Sequence, residues 1–347
     1  MNNTYNKDFD KYKDNGLTGL ANVGNTCYLN SCIQILSHTY EFNDYLNTKK
    51  YKTTINDITD SLLLVEWDKL RELMWSENCT IAPYGFIKSV QKVAIIKELY
   101  IFSGNAQNDI HEFLIFLIDS FHNSLSREVD MKITGIKQNK KDKLAEECYN
   151  MIKSMYNKEY SEILELFNGI HISEITSFDN SKRLSIRPEP YSILHLSIND
   201  KTKTLYDCIE EYCLKEDLTG ENGWIDENTN KKQDVKKGII FWSFPEILII
   251  ALKRWNKQGR KVHDLIDIPI DNFNLSKFVN GYNPHLYIYD LYGVCNHSGG
   301  TQGGHYTSNV KNANNKWYNY NDTIINEITD SEIITTKSYC LFYRKKK

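Results

Sequence analysis

Three places in this sequence hold side chains of the types that thiol chemistry needs. Cys27 closes the run Ala21-Asn22-Val23-Gly24-Asn25-Thr26-Cys27. Its Gly and Asn residues mark a tight turn, and Thr26 is a candidate N-cap for a helix that carries Leu29, Ile33 and Leu36 on one face. A cysteine at a helix start has amides and the helix dipole beside it, which favours the thiolate and lowers the thiol pKa. Taken alone, a cysteine at a helix start is more often just a small buried side chain. His305 follows Gly303 and Gly304 and leads into Tyr306. The glycines let backbone approach a ligand closely, and a strand starting at the histidine would hold its ring rigidly. Such an imidazole can take a thiol proton, although a loop histidine satisfied by a carbonyl is the plainer alternative. Asn321 and Asp322 follow Trp317-Tyr318-Asn319-Tyr320, sixteen and seventeen residues past His305. A strand, a turn and a neighbouring strand fit that gap, so either side chain could orient the ring, or the pair could simply make a turn.

These residues need elements to position them. Helical patterns cover about 58–73, 83–93 and 109–125, the last with Phe113, Phe116, Leu117 and Phe121 at helical spacing. Residues 136–161 are lysine-rich and fit either a helix or an exposed loop. Beyond about residue 165 the text turns to short β-type runs, near 171–175, 191–198, 238–241, 247–252, 286–294, 306–310, 317–320 and 339–343, with loops at 217–232 and 299–304. Helices first and antiparallel strands second make an α+β fold with segregated layers. The run 247–252 is far too short to span a bilayer and suits a buried strand.

Composition narrows the class. A hydrophobic share of 41% and a charged share of 25% are globular values, and the net charge of −3 leaves no basic footprint for nucleic acid. The eight cysteines form no C-x-x-C pair, which fits reduced thiols inside a cell. The first residues are polar and carry no apolar signal segment.

Together the blocks spell a family text. Gly16-Leu17-Thr18-Gly19-Leu20-Ala21-Asn22-Val23-Gly24-Asn25-Thr26-Cys27-Tyr28-Leu29-Asn30-Ser31 resembles the cysteine box of the ubiquitin-specific proteases. The segments 289–306, 317–322 and 339–344 resemble their histidine box. Ala106-Gln107-Asn108-Asp109-Ile110-His111-Glu112-Phe113-Leu114 resembles their Gln-Gln-Asp-x-x-Glu-Phe helix, with Asn108 where Gln is usual. Residues 233–237 and 252–255 match blocks around the central palm strand. The resemblance runs from about residue 16 to residue 344.

It implies a papain-like cysteine protease fold of helical thumb, β-sheet palm and fingers. Residues 1–15 would be a loose polar tail and 16–347 one catalytic domain, with 16–165 as thumb and 166–347 as fingers and palm. It implies deubiquitinase activity, with Cys27 as nucleophile, His305 as general base and acid, Asn321 as the orienting residue, Asp322 as a possible assistant, and Asn22 in the oxyanion hole. The ubiquitin tail, which ends in Gly-Gly, would lie against Gln107, Asp109, Glu112, Gly303, Gly304 and Tyr306. Asp109 and Glu112, one helical turn apart, would meet its arginines; without the resemblance they read as an N-cap and a first-turn acid. The partners implied are ubiquitin and ubiquitinated proteins, with no nucleic acid and no membrane, for a monomer in the cytoplasm. Many members hold zinc on two C-x-x-C pairs at the fingertips. Here 169–179 and 224–230 contain no cysteine, so no metal or cofactor is expected. Two other readings stay open: a non-catalytic ubiquitin-binding scaffold, and a protease for another ubiquitin-like modifier.

Overall fold

The computed structural model describes residues 9–227, 229–256, 258–300 and 303–346. The N-terminal half is helical: α1 (Cys27–Ser37), α2 (Tyr40–Asn47), α3 (Asp60–Ser76), α4 (Tyr84–Ile96), α5 (Ile110–Leu125), α6 (Lys140–Glu159) and α7 (Glu162–Phe167). Two short strands, β1 (Gly19–Leu20) and β2 (Thr80–Ile81), pair in parallel within it. The aromatic face read on α5 is the centre of this thumb. Phe113, Phe116, Leu117 and Phe121 are all buried, together with Leu63, Leu64 and Trp67 of α3.

α1 behaves differently. Every one of its eleven residues is buried, the polar ones included. A helix enclosed on all sides needs its polar groups tied down. Ser31 Oγ donates to the Thr307 carbonyl at 2.9 Å, and Gln34 Nε2 to the Thr18 carbonyl at 2.7 Å. α1 is therefore the wedge between the helical half and the sheet.

The palm is built from β5 (Ile193–Ser197), β10 (Ile247–Lys253), β11 (Phe273–Asn274), β12 (Ile288–Gly300), β13 (Gly303–Lys311), β14 (Trp317–Asn321), β15 (Ile324–Ile328) and β16 (Ser338–Lys345). The order is β15-β14-β13-β12-β16-β10-β5, with β11 beside β12. The pairs are antiparallel except β5–β10, which is parallel. β10 explains the apolar run seen in the sequence. Ile247, Ile249 and Ala251 join the core that faces α1 and α5. Leu248, Ile250 and Leu252 join a second core on the opposite face, with Leu205 and Ile209 of α8 (Leu205–Cys213). A strand covered on both faces has no reason to alternate polar with apolar.

The fingers form a second sheet, β4-β3-β9-β6, from β3 (Gly169–Ser177), β4 (Arg183–Tyr191), β6 (Glu216–Leu218) and β9 (Val235–Ser243). A hairpin of β7 (Trp224–Asp226) and β8 (Lys231–Gln233) accompanies it. The lysine-rich segment left undecided is α6, started by a capping box between Asn139 and Asp142. Its Leu144, Ala145 and Cys148 pack on Ile170, Ile172 and Trp242. A last short helix, α9 (Asp330–Ile333), precedes β16.

One expectation is corrected. The segment before residue 16 is not loose over its described part, Phe9 onward. Tyr12 is buried, stacks on Tyr40 at 4.5 Å between ring centroids, and donates to Asp44 at 2.6 Å. Asp14 accepts from Asn314 Nδ2 at 2.7 Å. Aromatic stacking docks a stretch that looks merely polar in sequence. Residues 1–8 lie outside the described residues. No helix among the described residues is long and apolar enough to cross a membrane.

Candidate active site

The turn before α1 is strained into a left-handed course, with φ +84° at Gly24 and +57° at Asn25, residue types that tolerate it. Thr26 is the N-cap, but its hydroxyl does not cap the helix. It accepts from the Val23 amide at 2.9 Å, while the Thr26 amide donates to Asn22 Oδ1 at 3.1 Å. The loop thus folds around Asn22 and delivers Cys27 to the first position of α1. There Cys27 is only 3% exposed.

That burial reverses the expected direction of its pKa. Desolvation pushes the thiol up, the Asp322 carboxylate adds to the rise, and the amides of Tyr306, Tyr28 and Cys27 itself only oppose it. The helix start acts as anticipated, but desolvation outweighs it. The resting group is a thiol that needs a base.

His305, on β13, supplies an imidazole whose Nε2 lies 2.6 Å from Asn321 Oδ1 at the end of β14. An amide oxygen only accepts, so Nε2 carries the proton and Nδ1 remains the basic nitrogen. The Tyr306 amide that reaches the Cys27 sulfur belongs to the residue next to His305. The structure also separates the two candidates for the third position. Asp322 has a left-handed φ of +51°. That kink aims its carboxylate away from the ring: Oδ2 accepts from Asn22 Nδ2 at 3.0 Å, and Oδ1 from Asn30 Nδ2 at 2.8 Å. The Asp322 carbonyl accepts from the Leu20 amide at 2.9 Å. Asn321 holds the histidine; Asp322 holds the loop that carries Asn22.

Beside this group lies a cleft of 230 Å³ whose lining includes Gln107, Asp109, Trp255, His297, Gly303, Gly304 and Tyr306. Gln107 bridges the cleft like a short piece of β-ladder. Its Nε2 donates to the Gly304 carbonyl at 2.9 Å, and its Oε1 accepts from the Gly304 amide at 2.7 Å. A Cβ on Gly304 would stand 2.3 Å from His297 Nε2 and 2.6 Å from the Ser298 carbonyl, so only glycine fits there.

Asp109 is the N-cap of α5. One oxygen accepts from the His111 amide at 2.7 Å and the other from the Tyr339 hydroxyl at 2.7 Å. The capping alternative describes what its carboxylate does in this structure. Glu112 is exposed on the same helix. Tyr306 is 7% exposed, with its ring 4.6 Å from that of His297, and burial pushes its hydroxyl pKa far up. It is a wall of the cleft.

Three residues at this site escaped the sequence reading: Asn30, Trp255 and His297. His297 had a usable signal. Gly299 and Gly300 end β12 and Gly303 and Gly304 begin β13, and the register His297↔Tyr306 follows from that pairing. Thr301 and Gln302 between the two strands lie outside the described residues. Also among the described residues, no group of three or more His, Cys, Asp or Glu gathers as a metal site.

A helical lobe wedged against a β lobe, with a buried thiol at a helix start and an imidazole held by an amide, has the layout of a papain-like thiol hydrolase. The comparisons sharpen that class. A family model described as ubiquitin carboxyl-terminal hydrolase matches residues 18–343, and the chain belongs to that family. It is 32% identical over 342 residues to ubiquitin carboxyl-terminal hydrolase 2 of Homo sapiens, covering 94% of this chain and 55% of that one. It is 27% identical over 436 residues to a probable ubiquitin carboxyl-terminal hydrolase of Acanthamoeba polyphaga mimivirus, covering 97% and 92%. The chain spans about half the length of the first curated relatives it matches. Among solved structures, a SAGA DUB module containing Ubp8, bound to monoubiquitin, superposes with a TM-score of 0.73 at 23% identity, covering 97% of this chain and 70% of that chain. The fold is therefore the thumb, palm and fingers of that group.

Proposed function

We propose that this protein is a deubiquitinase that hydrolyses the isopeptide or peptide bond after the C-terminal glycine of ubiquitin. The observation that carries the reading is the His305 Nε2 to Asn321 Oδ1 contact of 2.6 Å, which leaves Nδ1 free to take a proton. His305 Nδ1 accepts the Cys27 proton as the sulfur attacks the carbonyl. The thiolate forms beside the Tyr306 and Tyr28 amides, which offset part of its desolvation. The developing oxyanion meets the Cys27 amide and the second N–H of the Asn22 side chain, whose first N–H is held by Asp322. The imidazolium then protonates the leaving amine, and the same nitrogen later activates the water that cleaves the thioester.

The tight wall at Gly304 supports a Gly-Gly tail, because a side chain there would meet His297. Glu112, exposed on α5, suits a tail arginine. Asp109 contributes by setting the N-terminus of α5. The eight free cysteines suit a reducing, intracellular setting such as the cytoplasm.

The test is turnover of a ubiquitin–fluorophore amide under reducing conditions by wild type and by Cys27→Ala. Turnover by wild type alone is expected. No turnover by wild type, with tight ubiquitin binding, would instead identify a scaffold. Competition with other Gly-Gly modifiers for one electrophilic probe fixes which modifier is preferred.

A further inference from the structure

Lys261 follows β10 and folds back on Trp255 through an isolated antiparallel bridge. Its ammonium does not point to solvent. Nζ lies 2.9 Å from His297 Nδ1 and donates to the His297 carbonyl at 2.6 Å. An ammonium has donors and no acceptor, so His297 Nδ1 must accept. In a neutral imidazole the proton then sits on Nε2. Burial, with Lys261 beside it, holds His297 down to about 4, against a rise favoured by Asp109; the His111 ring also lowers it. The ring is therefore neutral in the working range, and its tautomer matters. Burial and the neighbouring charges of Arg254 and Lys337 hold Lys261 itself down to about 8.

The ring cannot turn away. His297 is 5% exposed, and its centroid lies 4.6 Å from Tyr306, 5.5 Å from Tyr339 and 6.2 Å from Trp255. Its Nε2 sits 2.3 Å from where a Gly304 Cβ would be, on the wall of the cleft. No partner for that nitrogen is found among the described residues.

We propose that Lys261 is a positioning residue: it holds His297 in the Nε2–H tautomer, so that His297 offers one N–H to a backbone carbonyl of the diglycine tail. This rests on the deubiquitinase reading. It also adds to the choice of glycine, because a carbonyl can reach that N–H only where no side chain intervenes.

The first measurement needs no variant. Nitrogen NMR of histidine-labelled wild type should show His297 protonated at Nε2 and bare at Nδ1 at pH 7, assigned against His297→Gln. A proton on Nδ1 overturns the proposal. The second measurement is steady-state turnover of the ubiquitin–fluorophore amide. Lys261→Met should raise KM ~5- to 10-fold, the worth of one hydrogen bond, with kcat within ~2-fold. Lys261→Arg, which keeps the donors, should restore KM. An unchanged KM in Lys261→Met, or a loss confined to kcat, overturns the assignment. Wild type that has the Nε2–H tautomer but does not turn over ubiquitin refutes the deubiquitinase reading and the tail role, and leaves the tautomer intact.

Discussion

The palm and the fingers are both largely antiparallel sheets, yet they are held by different forces. In the palm, β10 has six consecutive buried residues feeding two cores. In the fingers, β4 buries only Tyr191 of its nine residues. What steadies the fingers is the backbone ladder, the small cluster under α6 and ion pairs such as Glu174 with Arg183 and Lys215. Glu174 is buried, whereas fully exposed pairs such as Arg187–Glu227 contribute little because water screens them. Apolar burial on two faces is what fixes geometry to the fraction of an ångström that catalysis needs. The candidate site accordingly sits where α1 wedges against the palm. The fingers present a hollow of mixed lining, with Arg187, Glu189 and Lys237 beside Leu184, Trp224 and Ile239.

The largest effect should come from the site where α1 meets the palm. Cys27→Ala should lower turnover of the ubiquitin amide by ~10⁴-fold or more, as removal of a nucleophile does. Replacing the β7–β8 hairpin by a short turn should weaken ubiquitin binding but leave alkylation of Cys27 by a small haloacetamide at its original rate. Slowed alkylation would erase the separation between the two regions.

Next comes the anchor of the Asn22 loop. Asp322→Ala frees Asn22 and Asn30, and kcat should fall by ~10²-fold with KM nearly unchanged, the size seen when one oxyanion donor is lost. A fall confined to KM would place Asp322 in binding instead.

How much of this site is legible in the sequence differs residue by residue. Cys27 and His305 stand out because turn glycines and asparagines cluster beside them. Asn321 and Asp322 could not be separated from spacing, since what separates them is a backbone kink at φ +51°. A helix start lowers the Cys27 thiol pKa, while burial, a tertiary quantity, pushes it up. Asp109 was readable as a cap from local pattern, but its bond to Tyr339 spans 230 residues. The palm strands were visible as apolar runs. β4, with prolines and charges, and the docked Tyr12 were not.

Stability should divide the sheets more gently. Ile250→Ala, a fully buried palm position, should cost ~2–5 kcal/mol in urea unfolding, whereas the half-buried Ile239→Ala in the fingers should cost about 1 kcal/mol or less. Equal costs would break the comparison.

A further effect is a slope with pH. His38, fully buried against Tyr320 and Arg344, is held down to about 4 from 6.5 by desolvation. Between those values the unfolded chain binds a proton that the folded chain refuses. Stability is full above 6.5 and declines as pH falls toward 4, by about 1.4 kcal/mol per pH unit within the window. His38→Gln should flatten urea midpoints over that range; an unchanged slope would assign the effect to other groups.

The order of helices before strands, the apolar runs of the palm, and the identities of a thiol, an imidazole and their flanking turns can all be read along the chain. These are local patterns, written in neighbouring residues. The contact of Asn321 with the imidazole, the hold of Asp322 on Asn22, the burial that pushes the Cys27 thiol pKa up, and the placement of Lys261 Nζ on His297 Nδ1 arise only in the tertiary structure. Each depends on burial or on contacts between segments far apart in the chain, which spacing alone does not encode.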